Sequence, residues 1–386
     1  MFHKMPFILI GLIAMIMLGY EYIPLPVSEG LFALSLTIKS FIVFILPVII
    51  FGLLFKVSSQ LVKQASKWIL FIFLALMASN FLSTWLSQFV GLFIYNLHFS
   101  VPLPGQTEGL QPLWNFVLPQ LISNDKAMFG GLLLGAILGY AKPLISERIS
   151  TQLSFLVNKV LSLFVYLIPL FVSGFVIKLQ SDGVMLTIVQ NYALILGIIL
   201  ISQFTYILFL YLLANRMQFS SFVSSVKNMI PAGISAFSTM SSAATMPLTL
   251  IGTEKNAKDK DLARSVIPIT VNVHLIGDCF AIPILAFAIL KSFSVEEPSF
   301  YAYFIFSLYF VMAKFSVAGI PGGGIIVMLP ILEKYLGFSS EMLSLITALY
   351  ILFDPVITAA NVFGNGAFAL LIDSIKSSSN IKENRI

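Results

Sequence analysis

Near the C-terminal end of the chain, the stretch Asp354-Pro-Val-Ile-Thr-Ala-Ala-Asn-Val-Phe-Gly-Asn365 lies inside an apolar run from about Leu343 to Ile372. If this run is helical, its polar residues recur at i, i+4, i+7 and i+11 and share one face: Asp354, Thr358, Asn361 and Asn365. An ionisable residue at membrane depth costs roughly 2.5–3.5 kcal/mol, so it normally faces a partner, a cavity or a pathway. The stripe therefore predicts a binding wall inside a membrane protein.

The composition supports a membrane location. Of 386 residues, 58% are hydrophobic and 10% are charged, and the mean hydropathy is +0.97, whereas a soluble domain carries about 25% charged residues. The net charge of +5 is spread over short loops and does not suggest nucleic-acid binding. The single cysteine, Cys279, excludes an internal disulfide framework and a multi-cysteine metal site. We expect one integral membrane unit over residues 1–386.

Apolar segments long enough to cross roughly 30 Å of hydrocarbon lie near 6–27, 31–57, 69–96, 112–141, 152–180, 185–215, 263–290 and 342–373. The first of these has no small-residue cleavage site after it, which favours a retained span over a signal peptide. Two further apolar stretches, 221–252 and 300–335, are interrupted by Ser, Gly and Pro. The sequence therefore predicts an all-α protein with eight transmembrane helices and two re-entrant helical hairpins.

The positions of Lys and Arg predict the orientation. They occur at alternate turns, while the turns 97–111 and 293–299 lack them and carry Glu, so the positive-inside rule places both termini in the cytoplasm. Each interrupted stretch must then enter and leave on one side of the membrane. Non-helical backbone inside the membrane is tolerated only where it lines protein or a cavity. The segments rich in Ser, Gly and Pro therefore place the hairpin tips at 238–247 and 316–324.

A weak internal repeat follows the hairpins. His274-Leu-Ile-Gly-Asp278 comes after the first, and Asn361-Val-Phe-Gly-Asn365 comes after the second. A hairpin followed by a broken span, repeated with opposite entry sides, is typical of inverted-repeat secondary transporters. Two other functions stay open: an ion-uncoupled facilitator or channel, and an intramembrane enzyme that uses His274 and Asp278 as general base and orienting group.

These motifs resemble the dicarboxylate/amino acid:cation symporters, a family that includes the glutamate transporters. Residues 238–247 are similar to its serine-rich first hairpin, 318–324 to its second, 361–365 to its last-helix motif and 38–47 to its second helix. The resemblance implies a homotrimer in the cytoplasmic (plasma) membrane. In each subunit, a scaffold of approximately 1–68 and 112–180 would stay fixed, while a transport part of approximately 69–96 and 185–375 would move like an elevator.

The resemblance also implies a substrate site. Asp354 would receive a substrate ammonium group, and Asn361, Ser242 and the backbone from Ile320 to Gly324 would hold an α-carboxylate. The full set of implied substrate-binding residues is Ser241, Ser242, Asp278, Ile320, Gly324, Asp354, Ile357, Thr358 and Asn361.

Two departures from the family pattern concern the substrate. Ile357 stands where relatives that carry acidic substrates have arginine, and Asp278 stands where a threonine would approach the substrate side chain. Without an arginine guanidinium, the second carboxylate of an acidic substrate would be bound poorly. A small neutral amino acid is therefore favoured, and a cationic one comes next. The alternative is a sodium-coupled symporter of dicarboxylates or acidic amino acids.

The positions expected for the coupling ion are also altered. His274, Ile276 and Asn365 replace an asparagine and two aspartates that would bind sodium, and Lys314 stands near another sodium position, where its ammonium could replace a bound cation. Hard cations prefer negatively charged oxygen ligands. His274 and Asp278, four residues apart on one helical face, could pass or hold a proton, and Asp278 could pair with His274 or Lys314. Asn361 completes this set. We expect coupling to H⁺, or weakened or absent Na⁺ coupling, with no other cofactor.

Overall fold

The computed structural model describes residues 5–63, 67–96, 109–119, 122–183, 185–317 and 322–383. These residues form thirteen α-helices and one short 3-10 turn at Tyr20–Tyr22, with no strand among them. The helices are α1 (Met5–Gly19), α2 (Leu25–Lys63), α3 (Lys67–Asn96), α4 (Asn124–Ala141), α5 (Pro143–Ser181), α6 (Met185–Ala214), α7 (Phe219–Thr239), α8 (Ser242–Asn256), α9 (Lys260–Thr270), α10 (Ile276–Ser292), α11 (Phe300–Lys314), α12 (Gly323–Leu336) and α13 (Ser340–Glu383). The prediction of an all-α protein is confirmed.

One group of helices is built on the packing of α4 and α5 against α2, with α1 lying on α5. Gly131, Gly135 and Gly139 form a row along α4 that faces the backbone of α2. A Cβ at Gly135 would lie 2.5 Å from the Phe55 carbonyl oxygen, and one at Gly131 would lie 2.7 Å from that of Phe51. Small residues at such spacing let two helices approach closely, so this row sets the distance between α2 and α4.

The second group surrounds α13. The antiparallel pair α7–α8 packs on α13, and α10 packs on α3, α6 and α13. Helices α11 and α12 contact each other and form the second hairpin. Each described hairpin turn contains a left-handed residue, Met240 (φ 51°) after α7 and Gly322 (φ 71°) before α12. The described helices α7, α8 and α12 of these hairpins all contact α13, the helix that carries the polar stripe.

The structure corrects the boundaries of three predicted spans. The predicted span at 112–141 is helical only from Asn124, because Pro112 and Pro119 interrupt the described stretch 109–119, which has no helix. That stretch lies on α2 instead, where the Trp114 indole donates to Thr37 Oγ1 (2.9 Å). The first two predicted spans, 6–27 and 31–57, also differ, since α1 ends at Gly19 and α2 already begins at Leu25.

The sequence predicts a broken helix after each hairpin. The first break is confirmed, and the second is wrong. The predicted span 263–290 is divided into α9 and α10 by the non-helical residues 271–275. Asn80 of α3 stabilises this break, because its amide donates to the Val273 carbonyl (2.7 Å) and accepts from Leu275 N (3.2 Å). By contrast, α13 runs unbroken through 361–365, so its backbone bonds are satisfied within the helix and the stripe consists of side chains alone.

The apolar surface identifies an integral membrane protein. Among the described residues, four helical segments are long and apolar enough to cross a bilayer: Leu25–Gln60, Leu70–Asn96, Tyr192–Ala214 and Leu345–Ser377. Shorter apolar helices cover Phe7–Tyr22, Lys126–Ala141, Tyr166–Ser181 and Phe300–Lys314. Large apolar side chains such as Leu133, Ile137 and Phe155 are exposed, as expected where lipid replaces water. The count of eight crossings stays a prediction.

Candidate functional site

The site begins where α10 resumes after the break. Gly277 N, in the first turn of α10, donates to Asn361 Oδ1 of α13 (2.8 Å). A Cβ on Gly277 would overlap the Ile357 carbonyl oxygen, so glycine permits this close approach of α10 to α13. Asp278 follows in the same first turn, where the positive end of the helix dipole favours a carboxylate.

Asp278 is held by three donors, Lys314 of α11 and both Tyr350 and Asn361 of α13. Lys314 Nζ, at the end of α11, lies 2.8 Å from Asp278 Oδ2 in an ion pair whose side chains are 0% and 1% exposed. The Tyr350 hydroxyl (3.0 Å) and Asn361 Nδ2 (3.2 Å) donate to Asp278 Oδ1. The Lys314 ammonium also lies 4.4 Å from the centre of the Phe310 ring, a favourable cation–π arrangement. A buried ion pair needs such additional partners to offset its desolvation.

Gly324 brings the second hairpin against this cluster. A Cβ at this position in α12 would overlap both Asp278 Oδ2 and the Tyr350 hydroxyl. The first turn of α12 therefore packs directly on the ion pair. Ile320, predicted to contribute backbone N–H groups beside it, lies outside the described residues.

Asp354 occupies the neighbouring position at the hairpin. Its Oδ2 accepts from Gly322 N (2.7 Å) and its Oδ1 accepts from Thr358 Oγ1 (2.7 Å), and the side chain is 3% exposed. Gly322 is the left-handed N-cap of α12, a conformation that glycine adopts without strain. Ile357, on the same helix, is fully buried, so no cationic group is present at this position.

The first hairpin contributes residues near its tip. Ser241 is the N-cap of α8, and its hydroxyl accepts from Ala244 N (3.2 Å). Ser242 follows as the first residue of α8 and is buried. Ser241 thus caps the N-terminus of α8, and the substrate-binding role of Ser241 and Ser242 stays a prediction.

His274 belongs to a second cluster. Its Nε2 lies 2.9 Å from Ser79 Oγ, its Nδ1 lies 3.3 Å from Asn365 Oδ1, and its ring centre lies 4.5 Å from that of Phe368. The imidazole is fully buried, and Asn365 Nδ2 has no partner among the described residues.

The prediction that His274 and Asp278 share a helical face is wrong. His274 lies in the break before α10, whereas Asp278 lies within α10. Of the two partners left open for Asp278, the structure pairs it with Lys314, and His274 bonds Ser79 and Asn365 instead.

Sequence reasoning missed Asn80, Ser79 and Tyr350. A signal was present for Asn80, because Asn80, Thr84 and Ser87 recur at i, i+4 and i+7 in the apolar run 69–96 and form a second polar stripe. Tyr350 extends the stripe of α13 by one turn, four residues before Asp354. A tyrosine ring is largely apolar, so hydropathy does not distinguish Tyr350 from its apolar neighbours, and the residue was not included in the predicted stripe.

Buried charges at the break between α9 and α10, enclosed by hairpins within an apolar helical bundle, fit a polytopic membrane transporter. A family model described as the sodium:dicarboxylate symporter family matches residues 5–375. The chain therefore belongs to the sodium:dicarboxylate symporter family, which is a family of transporters and not of enzymes.

Curated relatives are distant. Excitatory amino acid transporter 1 of Bos taurus is 24% identical over 283 residues, which cover 71% of this chain and 49% of the relative. An excitatory amino acid transporter of Caenorhabditis elegans is 29% identical over 148 residues, covering 38% and 29%. The serine/threonine transporter SstT of Acinetobacter baylyi is 24% identical over 278 residues, covering 67% of both chains. The chain thus spans about half the length of the first of these relatives.

Proposed function

We propose that the protein is a secondary active symporter that carries a small, neutral amino acid across the plasma membrane, with coupling to protons or weakened coupling to sodium. The observation that carries this proposal is the buried Asp354 carboxylate of α13, which lies beside the start of α12. It is held by Gly322 N and Thr358 at 2.7 Å each. A substrate ammonium is a charged donor, so it would form a stronger hydrogen bond with the Asp354 carboxylate than these neutral donors do.

The α-carboxylate of the substrate would be held next to this group. Asn361 Nδ2 has two hydrogens, of which one donates to Asp278, and the second would donate to a substrate oxygen. Backbone N–H groups at the start of α8, near Ser242, and at the start of α12, near Gly324, would add donors at positive helix ends. The site then binds an amine and a carboxylate, as a zwitterion requires.

The charge of the site disfavours an acidic side chain. The buried residues around it contribute two carboxylates, Asp278 and Asp354, and one ammonium, Lys314. Since Asp278 and Lys314 neutralise each other, the formal sum is −1. A substrate with a second carboxylate would add a like charge in a region of low dielectric constant, and Ile357 supplies no compensating cation.

The proposed change in ion coupling rests on both clusters. Lys314 already neutralises Asp278, and Asn365 Oδ1 lies beside His274 Nδ1 instead of facing an empty cation position. Neutral imidazole and amide groups are poorer ligands for sodium than carboxylates. His274 and Asp278 remain the candidate proton-carrying groups, although they act in separate clusters.

A second candidate is a sodium-coupled symporter of acidic amino acids or dicarboxylates. The family description and the excitatory amino acid transporters among the relatives favour it. The name of the bacterial serine/threonine transporter favours a neutral substrate. An ion-uncoupled facilitator is a third candidate, because ligands for sodium have been replaced.

We further propose a homotrimer that works by an elevator movement, with both termini in the cytoplasm. The packing supports the division made from the sequence, since α1, α2, α4 and α5 contact one another while α3 and α6–α13 surround the site. The first set falls in the scaffold of approximately 1–68 and 112–180. The second falls in the transport part of approximately 69–96 and 185–375.

The test is a thermal-shift screen of purified protein against the twenty common amino acids and malate, with sodium or choline chloride and at two pH values. A bound ligand raises the melting temperature by mass action, so small neutral amino acids should produce the largest shift. Uptake of the best ligand into proteoliposomes then separates the coupling modes. Stabilisation by malate or glutamate alone contradicts the substrate class, and uptake that requires a sodium gradient and ignores a pH gradient contradicts the coupling.

A further inference from the structure

The Lys314 ammonium occupies a closed position between four helices. It belongs to α11, contacts Asp278 of α10, and lies over the ring of Phe310. Its carboxylate partner is bonded in turn by Tyr350 and Asn361 of α13, and the first turn of α12 packs on it at Gly324. The side chains of Lys314 and Asp278 are 0% and 1% exposed.

The ammonium bonds a carboxylate oxygen of the kind that a small monovalent cation would use. Asp278 Oδ2 lies 2.8 Å from Lys314 Nζ and supplies negative charge, and the Tyr350 hydroxyl donates to the other oxygen, Asp278 Oδ1 (3.0 Å). Hard cations take carboxylate, hydroxyl and amide oxygens as ligands. The group that fills the position is, however, covalently attached to the hairpin arm, so it cannot dissociate during a transport cycle.

We propose that Lys314 is a tethered cation that holds the second hairpin on α10 and α13, and that removing its charge creates a binding site for a dissolved monovalent cation at Asp278. Attachment of the hairpin at this point is then independent of any external cation. The consequence for transport rests on the function proposed above, because it removes one place at which substrate movement could be coupled to sodium. The cation site itself is testable without a substrate.

The experiment measures thermal unfolding of purified Lys314→Ala in choline chloride and in sodium, lithium or potassium chloride at equal ionic strength. The change from choline to sodium should raise the melting temperature of the wild type less than that of Lys314→Ala. In Lys314→Ala, the melting temperature should be lower in choline chloride and should rise by at least about 2 °C, saturably, with sodium or lithium. Lys314→Gln provides a second variant, since it also removes the positive charge but retains a hydrogen-bond donor for Asp278.

Two controls isolate the carboxylate. The double variant Asp278→Asn/Lys314→Ala lacks both charges and should show no specific response to cations. Lys334→Ala alters another lysine that lies near aromatic rings, 5.2 Å from that of Tyr335, and should behave like the wild type. Saturable stabilisation of the wild type by sodium that equals that of Lys314→Ala overturns the inference. So does the absence of stabilisation in both single variants. Failure of amino-acid binding in the earlier screen would contradict the proposed function and leave this result standing.

Discussion

Replacing Asp354 with asparagine tests the role of the carboxylate with little change in shape. The substituted side chain would keep one oxygen for Gly322 N, and its amide could donate to Thr358 Oγ1, because a hydroxyl both donates and accepts. The hairpin contact at 2.7 Å and the helix contact at 2.7 Å can thus persist. What disappears is the negative charge proposed to receive the substrate ammonium.

The expected size of the effect follows from that lost charge. A hydrogen bond to a charged group contributes about 1.5–3 kcal/mol, and each 1.4 kcal/mol corresponds to about a tenfold change in Kd. Asp354→Asn should therefore weaken binding of the best neutral amino acid by roughly 10- to 150-fold, while the protein stays folded. Isothermal titration calorimetry of the detergent-solubilised protein measures the change directly.

A matched control lies on the same helix. Asp373 is also buried, but its carboxylate accepts from the backbone N–H groups of Lys258 and Asp259 (2.9 and 3.2 Å) instead of lying at the site. Asp373→Asn should change the melting temperature and leave the ligand Kd within about twofold. If Asp354→Asn also binds the ligand within twofold of the wild type, Asp354 is not the ammonium partner.

Three further predictions concern stability and pH. Asn80→Ala should lower the free energy of unfolding by about 2–4 kcal/mol, because it leaves the Val273 carbonyl and Leu275 N–H buried without partners. Asn96→Ala, which removes an exposed amide that donates to the Leu92 carbonyl of its own helix, should change it by less than about 0.5 kcal/mol, and equal losses in the two variants would refute the bridging role. Gly324→Ala should destabilise the protein because its Cβ would overlap Asp278 and Tyr350, whereas Gly197→Ala on α6 meets open space and should be neutral or stabilising; thermal unfolding in one detergent distinguishes them. The hydrogen bond from Lys376 lowers the pKa of Asp259 below its usual value of 3.8. The ionised pair therefore stabilises the folded state fully above pH 3.8. This stabilisation is lost as the pH falls through the lowered pKa of Asp259. Lys376→Ala should cost less than about 1 kcal/mol at pH 7, because the pair is exposed, and the difference from the wild type should shrink toward pH 3 in denaturant titrations; a constant difference would exclude the ion pair as its cause.

Much of the fold could be predicted because apolar run length and interrupting residues are local signals. Ser, Gly and Pro within two apolar stretches predicted the hairpins, and the polar repeat along α13 predicted the side of that helix that carries Asp354 and Asn361. The exact ends were less accessible: α4 begins at Asn124, twelve residues after the predicted start of that span at 112.

The grouping of the site residues could be predicted only in part. The positions of Asp278, Lys314 and Asn361 suggested one polar region, but no sequence pattern states that α11 ends beside the first turn of α10. The pairing of His274 with Ser79 depends on the break at 271–275, and that break depends on Asn80 of a distant helix. The sequence left two partners open for Asp278, His274 and Lys314. Contacts between helices far apart in sequence determine that the partner is Lys314.

The unbroken course of α13 has a mechanical consequence. Asp354 at the site and Asp373, which binds the backbone before α9, are nineteen residues apart on one helix, a separation of about 28 Å at 1.5 Å per residue. Pro355 lies next to Asp354, and between Pro355 and Asp373 the helix contains no further proline, so displacement along this part of its axis is transmitted instead of being absorbed at a proline hinge. Any shift of the ligand-facing part of α13 along this axis therefore pulls or pushes the loop at Lys258 and Asp259 by the same amount, so a spectroscopic label on that loop would report movement of the distant substrate site.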